Sequence, residues 1–323
     1  MEQKYTTFIV DAFTAERFTG NQAAVCLIPR VLRDGEYQKI AAEFNLSETA
    51  FPIPTDGDFH TASKFSLRWF TPTAEVPLCG HATLASSHVL FNEIGNESST
   101  ITFATKSGNL VVRKGARKQV EMDFPQYNVT AIQFHGKPSS LANIFPEFRA
   151  PPHLHELIQS FIPKIIRVEA VAYASAAKKL IIVIDKETTN FELSQITAMR
   201  AERMVKLDPE GEFTRGVVVT FAPLHAMSQG FVDSEAEPYD YVCRYFAPWV
   251  GIMEDPATGS AQCALAPLWG AVLQKRSLYA YQSYPNRGAQ FRINLCDSGR
   301  VSILGQSVTV LQGQIHLNEA IFY

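Results

Sequence analysis

Short apolar runs separated by turn-forming residues recur along the chain, a pattern typical of β-strands. Two longer runs, 81–91 and 259–273, are apolar on nearly every side, so each predicts a helix that is buried all round. Amphipathic helices are predicted at 34–44 and near 193–201. The predicted strands lie at 8–13, 23–28, 49–53, 65–70, 101–105, 110–113, 120–124, 165–173, 180–185, 216–221, 279–282, 290–295, 300–304 and 308–311. Because few helices separate these strands, the pattern disfavours a doubly wound parallel sheet and predicts an α+β fold.

The chain contains one construction twice. Arg-x-Phe-x-Pro at 68–72 leads to Cys79-Gly80-His81 and a buried helix, and Arg-x-Phe-x-Pro at 244–248 leads to Thr258-Gly259-Ser260 and another. The arginines, at positions 68 and 244, are 176 residues apart, and the helix-opening glycines, at 80 and 259, are 179 apart. The duplication predicts two pseudo-symmetric lobes, each a sheet wrapped around a central helix, with a cleft between them.

The length of 323 residues also favours two domains, because a single hydrophobic core stops growing at about 250–300 residues. The proline-containing stretch 127–152 is the best boundary. We therefore expect an N-terminal lobe at 1–125 and a C-terminal lobe at 126–307. The last strand, about 308–323, is a candidate to join the N-terminal lobe.

The composition excludes several classes of protein. The net charge of −3 and the pI near 6.3 leave no electrostatic footprint for nucleic acid or an anionic membrane. The N-terminus does not resemble a signal peptide, and no apolar run approaches the ~20 residues of a membrane span. Five cysteines without a Cys-x-x-Cys pair fit a reducing compartment, so a cytoplasmic protein is expected. No metal-ligand spacing is present, so a metal is not expected, and no nucleotide-binding glycine motif is found.

The starts of the two buried helices are candidate substrate-binding sites. Gly80 and Gly259 open the helices, where unpaired N–H groups and the positive end of the dipole favour an anion. If both starts face one cleft, a small carboxylate-bearing metabolite is the substrate class that fits. His81 and Asp255 stand beside these glycines in matching places, and Ser260 is either a hydroxyl donor to the ligand or a helix cap.

Two further residues are candidates for proton transfer. Glu48 stands at the junction of a helix and an apolar strand, and a desolvated carboxylate there could take and return a proton. From spacing alone it ranks no higher than Glu43 or Glu75. Cys79 precedes Gly80, where the helix start could stabilise a thiolate that acts as a base. Its counterpart in the second copy is Thr258, so a symmetric two-thiol mechanism lacks its partner.

Together these motifs resemble the phenazine-biosynthesis PhzF-like family. The resemblance covers nearly the whole chain, and its segments are Asp-Ala-Phe-Thr at 11–14, Phe-Thr-Gly-Asn at 18–21, Ser-Glu-Thr-Ala-Phe at 47–51, Arg-Trp-Phe-Thr-Pro at 68–72, Glu-Val-Pro-Leu-Cys-Gly-His-Ala-Thr at 75–83 and Glu-Asp-Pro-Ala-Thr-Gly-Ser at 254–260. It implies a diaminopimelate-epimerase-like fold, a site between the lobes and an isomerase that needs no cofactor. Glu48 takes the acid/base role by this resemblance, supported by His81, Asp255 and Ser260.

Cys79 leaves alternatives open, because the bacterial phenazine enzymes have a small residue at that place. The Cys-Gly-His sequence is also similar to one thiol motif of the proline racemases. This similarity implies a Cys79-dependent epimerase or dehydratase of a proline-like amino acid. A third reading is a non-enzymatic binding protein. The sequence of these motifs is most similar to that of animal members of the family, and this similarity alone implies a WD-repeat protein as a partner. A homodimer is a further expectation.

Overall fold

The structure, a computed structural model, describes residues 2–134 and 140–318. Part of the predicted boundary stretch, 135–139, and the end of the predicted last strand, 319–323, lie outside these ranges. The described residues form two compact units: the first comprises those up to Asp123 together with those from Ser302, and the second comprises Phe124–Val301. None of the helices within the described ranges has the length and hydrophobicity of a membrane-spanning segment.

The first unit contains the N-terminal strands, the last strand and two helices. Its strands are β1 (Glu2–Ala12), β2 (Asn21–Cys26), β3 (Glu48–Pro54), β4 (Lys64–Phe70), β5 (Glu75–Val76), β6 (Thr100–Thr105), β7 (Gly108–Lys114), β8 (Val120–Pro125) and β19 (Ser307–Asn318), and its helices are α1 (Asp34–Phe44) and α2 (Gly80–His88), the latter continued by a π-helical segment (Val89–Ile94). The chain leaves this unit within β8 and returns to it within β18 (Arg300–Gly305).

The second unit adds the remaining strands and five helices. Its strands are β9 (Thr130–Ile132), β10 (Glu147–Phe148), β11 (Val168–Ala174), β12 (Lys179–Ile184), β13 (Gly216–Phe221), β14 (Tyr241–Ala247), β15 (Ile252–Asp255), β16 (Ser277–Tyr284) and β17 (Arg287–Cys296), and its helices are α3 (Leu154–Phe161), α4 (Asn190–Ser194), α5 (Ala198–Leu207), α6 (Ala226–Gln229) and α7 (Gly259–Leu273).

Strand pairing follows the same series in both units. In the first, β1–β2 is antiparallel, β2–β3 parallel, β3–β4 antiparallel, β4–β6 parallel and β6–β7 antiparallel. In the second, the same order of pairings joins β11–β12, β12–β13, β13–β14, β14–β16 and β16–β17. The duplicated motifs therefore mark one supersecondary unit that folds twice, and the mixed sheets with few helices confirm the α+β class.

The sheet of the first unit has a helix on each face. Helix α2 packs on β1, β2 and β3, and every residue from His81 to His88 is buried. Helix α1 covers the other face, where the Tyr37 ring lies 4.8 Å from that of Phe51 and 5.2 Å from that of Phe70. Because side chains alternate along a strand, Phe51 points towards α1, whereas Glu48 and Ala50 of the same strand point towards α2.

The second unit repeats this layering. Trp269 of α7 donates to Thr220 on β13 at 3.0 Å, so α7 lies on the face of the even-numbered β13 residues. Helices α3 and α5 cover the opposite face, where Phe161 and Met204 share a buried apolar cluster with Val217. The side chains that face the start of each central helix are therefore set by strand parity.

Candidate active site

Glu48 is the first residue of β3 and is 6% exposed. It pairs with Ala23 on the parallel strand β2, so its carboxylate projects from the sheet face on which α2 lies. The residue before it, Ser47, is at the surface. The structure thus has a buried carboxylate one residue from solvent, beside the start of the central helix.

His81 is joined to this place through Ser47. The Ser47 hydroxyl donates to the Gln22 carbonyl at 2.9 Å, and its oxygen lies 3.2 Å from Nε2 of His81. The imidazole also makes a hydrogen bond to the Gln22 backbone. The start of β2, the start of β3 and the start of α2 therefore meet through these three residues.

Burial keeps the His81 ring neutral. The side chain is 6% exposed, and desolvation lowers the pKa of the imidazole from 6.5 to about 4, with the Gln22 backbone bond acting weakly in the other direction. Because the Ser47 hydroxyl hydrogen is donated in a hydrogen bond to the Gln22 carbonyl, the Ser47 oxygen accepts the Nε2–H of His81. His81 is then a neutral ring with Nδ1 free to accept.

Cys79 makes a hydrogen bond to this Nδ1 atom. Its Sγ lies 3.3 Å from Nδ1 of His81, and the tautomer above makes the thiol the donor. Cys79 is also the N-cap residue of α2, and its side chain caps no backbone N–H of the helix. The N–H groups that begin α2 at Gly80 and His81 are therefore not satisfied by the cap side chain, as an anion-binding helix start requires.

The candidate residues of the second unit form a separate group at the start of α7. The Thr258 hydroxyl donates to Oδ2 of Asp255, the last residue of β15. Thr258 is the N-cap of α7 and, like Cys79, caps no helix N–H with its side chain. Gly259 is buried and Ser260 is half-buried at the first positions of the helix. Thr258 thus holds the Asp255 carboxylate instead of capping the helix.

Two buried glutamines that the sequence did not single out support this loop. Gln282 on β16 donates to the Asp255 carbonyl at 2.6 Å and accepts from the Thr258 backbone N–H at 2.9 Å. Gln262 on α7 contacts Gln282 at 3.4 Å and accepts from the Tyr241 hydroxyl at 2.7 Å. A buried amide in an apolar strand or helix leaves no periodic signal; the pairing of β14 with β16 positions Gln282, and α7 itself carries Gln262.

Sequence reasoning also missed a repeated ion pair. The arginines of the two Arg-x-Phe-x-Pro motifs bind glutamates in fork geometry: Arg68 holds Glu75 with both contacts at 2.7 Å, and Arg244 holds Glu254 at 2.7 and 2.8 Å. The hydrogen bonds from Arg68 lower the pKa of Glu75. Glu75 is therefore a structural anion, which separates it from Glu48. The remaining carboxylate of equal rank, Glu43, is exposed.

The structure groups the candidates by unit: Glu48, Cys79, Gly80 and His81 lie at the start of α2, and Asp255, Thr258, Gly259 and Ser260 lie at the start of α7. Among the described residues, no group of three His, Cys, Asp or Glu side chains could hold a metal ion. Three other thiols, Cys26, Cys243 and Cys263, are buried, and desolvation raises the pKa of each to about 12. These three are inert thiols.

Comparison with known proteins identifies relatives over almost the entire chain. Residues 10–313 match the family model described as phenazine biosynthesis-like protein. A mouse phenazine biosynthesis-like domain-containing protein 1 is 40% identical over 315 residues, which cover 97% of this chain and 99% of the relative. A protein of Halalkalibacterium halodurans named an uncharacterized isomerase is 37% identical over 313 residues, covering 96% and 98%.

Solved structures of related proteins lead to the same family. A PhzF-family phenazine biosynthesis protein of Enterococcus faecalis is 30% identical, with a TM-score of 0.76, and the match covers 98% of this chain and 100% of the other. Two more distant structures, at 19% and 12% identity with TM-scores of 0.59 and 0.53, share the fold alone. The diaminopimelate-epimerase-like fold predicted from the sequence is thereby confirmed. The chain belongs to the phenazine biosynthesis-like (PhzC/PhzF) family.

Proposed function

We propose that the protein is a cofactor-independent isomerase that moves a proton on a small carboxylate-bearing substrate, with Glu48 as the acid/base. Its bacterial relatives are named isomerases, which supports this reaction class. The observation that carries the proposal is the position of Glu48: a buried carboxylate at the start of β3, next to the Ser47–His81 contact.

The chemistry requires one group that takes a proton from carbon and returns it. The Glu48 carboxylate removes the proton and leaves the electron pair delocalised onto the substrate carboxylate or an adjoining π-system. The carboxylic acid so formed then delivers the proton to the same carbon or to another one. Burial favours this exchange, because a desolvated carboxylate is a stronger base towards a carbon acid than a hydrated one.

The helix starts would bind the substrate. Backbone N–H groups at Gly80 in the first unit and at Gly259 and Ser260 in the second are aligned with the positive ends of α2 and α7 and suit a carboxylate. Neutral His81 would act as a fixed hydrogen-bonding group, since its lowered pKa disfavours an imidazolium near pH 7. We assign Asp255, held by Thr258, to substrate contact or proton shuttling.

The test begins with a search for the substrate. A library of small carboxylates is screened by thermal shift, and each hit is incubated with the protein in D2O. The expected result is incorporation of deuterium at a carbon-bound position, observed by NMR and mass spectrometry. Glu48→Gln should lower the exchange rate at least about 100-fold, the lower end of general acid–base contributions.

Glu43→Gln is the matched control, because Glu43 lies five residues away on exposed surface. Its exchange rate should equal that of the unaltered protein. Retention of exchange in Glu48→Gln would remove Glu48 from the mechanism. Whether the two helix starts serve one substrate stays a prediction; strongly non-additive losses in a Glu48→Gln, Asp255→Asn double variant would support it.

One contact favours a second candidate, the Cys79-dependent epimerase or dehydratase. Cys79 Sγ and His81 Nδ1 are 3.3 Å apart, the arrangement from which a thiolate could form. The lowered pKa of His81 opposes that step, because a ring that resists protonation is a weak acceptor of the thiol proton. Cys79→Ser should leave deuterium exchange within about tenfold if Glu48 is the base; a loss equal to that of Glu48→Gln would favour the thiol.

A further inference from the structure

Lys179 is a buried cation on the same sheet face as the start of α7. It begins β12 and is only 5% exposed. Its neighbour Leu180 belongs to the apolar cluster under α3 and α5, so alternation directs Lys179 to the α7 face. A lysine this deeply buried is rare unless it has a partner.

The partner is Tyr245. The Lys179 ammonium donates to the Tyr245 hydroxyl at 2.7 Å, and Nζ lies 4.2 Å from the centre of the ring. Gly216 leaves the room for this pair: a Cβ atom built on Gly216 would lie 2.3 Å from the Tyr245 hydroxyl oxygen. The β12–β13 register places Lys179 directly beside Gly216. Three neighbouring strands thus contribute one residue each to this arrangement.

The strand register identifies the residue of the first unit that is equivalent to Gly216. Phe70 and Phe246 are the equivalent residues of the two Arg-x-Phe-x-Pro motifs; Phe70 pairs with Thr49 and Phe246 with Val217. The residue before each partner is Glu48 in the first unit and Gly216 in the second. The position equivalent to the proposed acid/base therefore has no side chain in the second unit; the Tyr245 ring occupies the space there, and the amine of Lys179, the strand partner of Gly216, bonds to its hydroxyl.

The charges around Lys179 identify its counterion. Burial lowers the pKa of the amine from 10.5 to about 8, while attraction by Cys263 and Asp255 opposes the decrease. Burial raises the pKa of Cys263 to about 12 and also raises that of Tyr245, so both are neutral near pH 7. Of the two groups that attract Lys179, Asp255 is then the one that carries a negative charge.

The backbone connects the two charges. Tyr245 on β14 is the strand partner of Asp255 on β15, so the anchor of the lysine and the carboxylate are held in one register. Tyr127 interacts with Tyr245, and Tyr284 interacts with Asp255 and Arg287; burial raises the pKa of each tyrosine. Glu254, also near Tyr284, is bound by Arg244.

We propose that Lys179 is a positioning residue of the candidate site: its buried ammonium, anchored on Tyr245, holds the Asp255 carboxylate in its charged form beside the start of α7. The inference rests on the role given to Asp255 in the proposed function. The two helix starts then differ in charge: the Glu48 carboxylate lies on the α2 face of its sheet, and the Lys179 amine lies on the α7 face of the other.

The coupling can be measured without any substrate. With selectively labelled lysine, the titration of Lys179 is followed by NMR in the unaltered protein and in Asp255→Asn. Removal of the carboxylate should shift the Lys179 midpoint down by about one pH unit, as expected for charges several ångströms apart at an effective dielectric constant near 20. Asp297→Asn, which removes an exposed carboxylate of the same unit, should not shift it.

A Lys179 midpoint that is the same in Asp255→Asn and in the unaltered protein would overturn the proposal. The reciprocal experiment follows the Asp255 carboxyl carbon in Lys179→Met, where its titration should move to higher pH by the same amount, because coupling is mutual. Tyr245→Phe is the second variant should Lys179→Met fail to fold; it keeps both charges and removes the anchor, and a smaller coupling is expected.

Activity separates this inference from the proposed function. Once a substrate is known, Lys179→Met should lower kcat about tenfold with KM within about twofold, and the acid limb of its pH profile should move to higher pH. An unchanged kcat and pH profile would overturn the positioning role. If no small carboxylate exchanges deuterium with any variant while the NMR coupling is present, the proposed function fails and the Lys179–Asp255 pairing stands.

Discussion

The two units share one backbone plan and carry opposite charges on paired positions of equivalent strands. In the first, Glu48 begins the strand next to the central helix. In the second, Gly216 begins it, the Tyr245 ring occupies the space beside Gly216, and Lys179 of the adjoining strand bonds to the Tyr245 hydroxyl. The series of strand pairings is the same in both units. The comparison teaches that pairing and helix placement depend on the apolar pattern, whereas the charge at the start of the helix is free to diverge.

The repeated arginine–glutamate pair differs in the same way. Arg68 and Glu75 are partly exposed, with side-chain exposures of 23% and 14%, and Asp34 and Lys106 join them at the surface. Arg244 and Glu254 are 3% and 6% exposed. Arg244 also donates to the Leu193 and Ile196 carbonyls at 2.7 and 2.6 Å. One pair is thus a surface network and the other a buried tie to the segment that contains α4.

The largest effect is expected from a substitution that breaks the buried Arg244–Glu254 pair. Arg244→Met should lower the free energy of unfolding by about 3–5 kcal/mol, because it leaves Glu254 as an unpaired buried carboxylate and removes the arginine's hydrogen bonds to the Leu193 and Ile196 carbonyls. Urea denaturation at pH 7 measures it. Arg68→Met is the matched control and should cost about 1 kcal/mol or less, since Glu75 keeps Lys106 and access to water. Equal losses would show that burial does not distinguish the two pairs.

A second prediction concerns the stability of the fold at acidic pH. The folded pKa of His81, about 4, lies below the unfolded value near 6.5, so folding favours the neutral ring. The stability that depends on this neutral ring is complete above pH 6.5 and is lost as the pH falls towards 4. The difference in unfolding free energy between the protein and His81→Gln should therefore shrink by on the order of 2–3 kcal/mol between pH 7 and 4.

His60→Gln is its control, because His60 is an exposed histidine of the same unit. The same series of urea titrations from pH 7 to 4 serves both variants. A His81→Gln difference that does not change with pH would mean that solvent reaches the ring in the folded state.

The third prediction lies at alkaline pH and is somewhat smaller. The folded pKa of Lys179, about 8, lies below the unfolded value near 10.4, so the amine loses its proton first in the folded state. Stability from this source is present above the unfolded pKa and is lost as the pH falls through 8. Relative to Lys179→Met, the protein should gain on the order of 2 kcal/mol between pH 7 and 10, measured by urea denaturation.

Lys275→Met is the matched control, since its side chain is 54% exposed. No comparable gain is expected for it. If Lys179→Met and Lys275→Met change stability alike across this range, the Lys179 amine is hydrated and the charge contrast between the units is lost.

Several features of the fold could be predicted from the chain alone. The α+β class, the two buried helices beginning at Gly80 and Gly259, and the amphipathic helix at 34–44 follow from apolar periodicity and glycine placement. The first strand begins at Glu2, although the apolar pattern begins only at Phe8. Its early residues are held by pairing with β19, a partner about 300 residues later in the chain, and no local pattern reports such a contact.

The residues of the candidate site also divide into those that the sequence predicts and those that it does not. Glu48, Cys79 and His81 were found because they stand beside a helix start or within a motif. Lys179 and Gln282 were not, because a buried polar residue in an apolar strand gives no signal until its partner is known. The rank of Glu48 above Glu75 likewise needed the structure, which binds Glu75 to Arg68.

The repeated unit, its strands and the two glycine-opened helices follow from the amino-acid sequence, because they depend on side-chain periodicity and on backbone conformations that neighbouring residues set. Three-dimensional packing sets which carboxylates are bound by arginines, which tautomer His81 adopts and which lysine is buried beside Tyr245. Those outcomes depend on desolvation and on contacts between residues far apart in the chain, and both come into existence only when the sheets close over their helices.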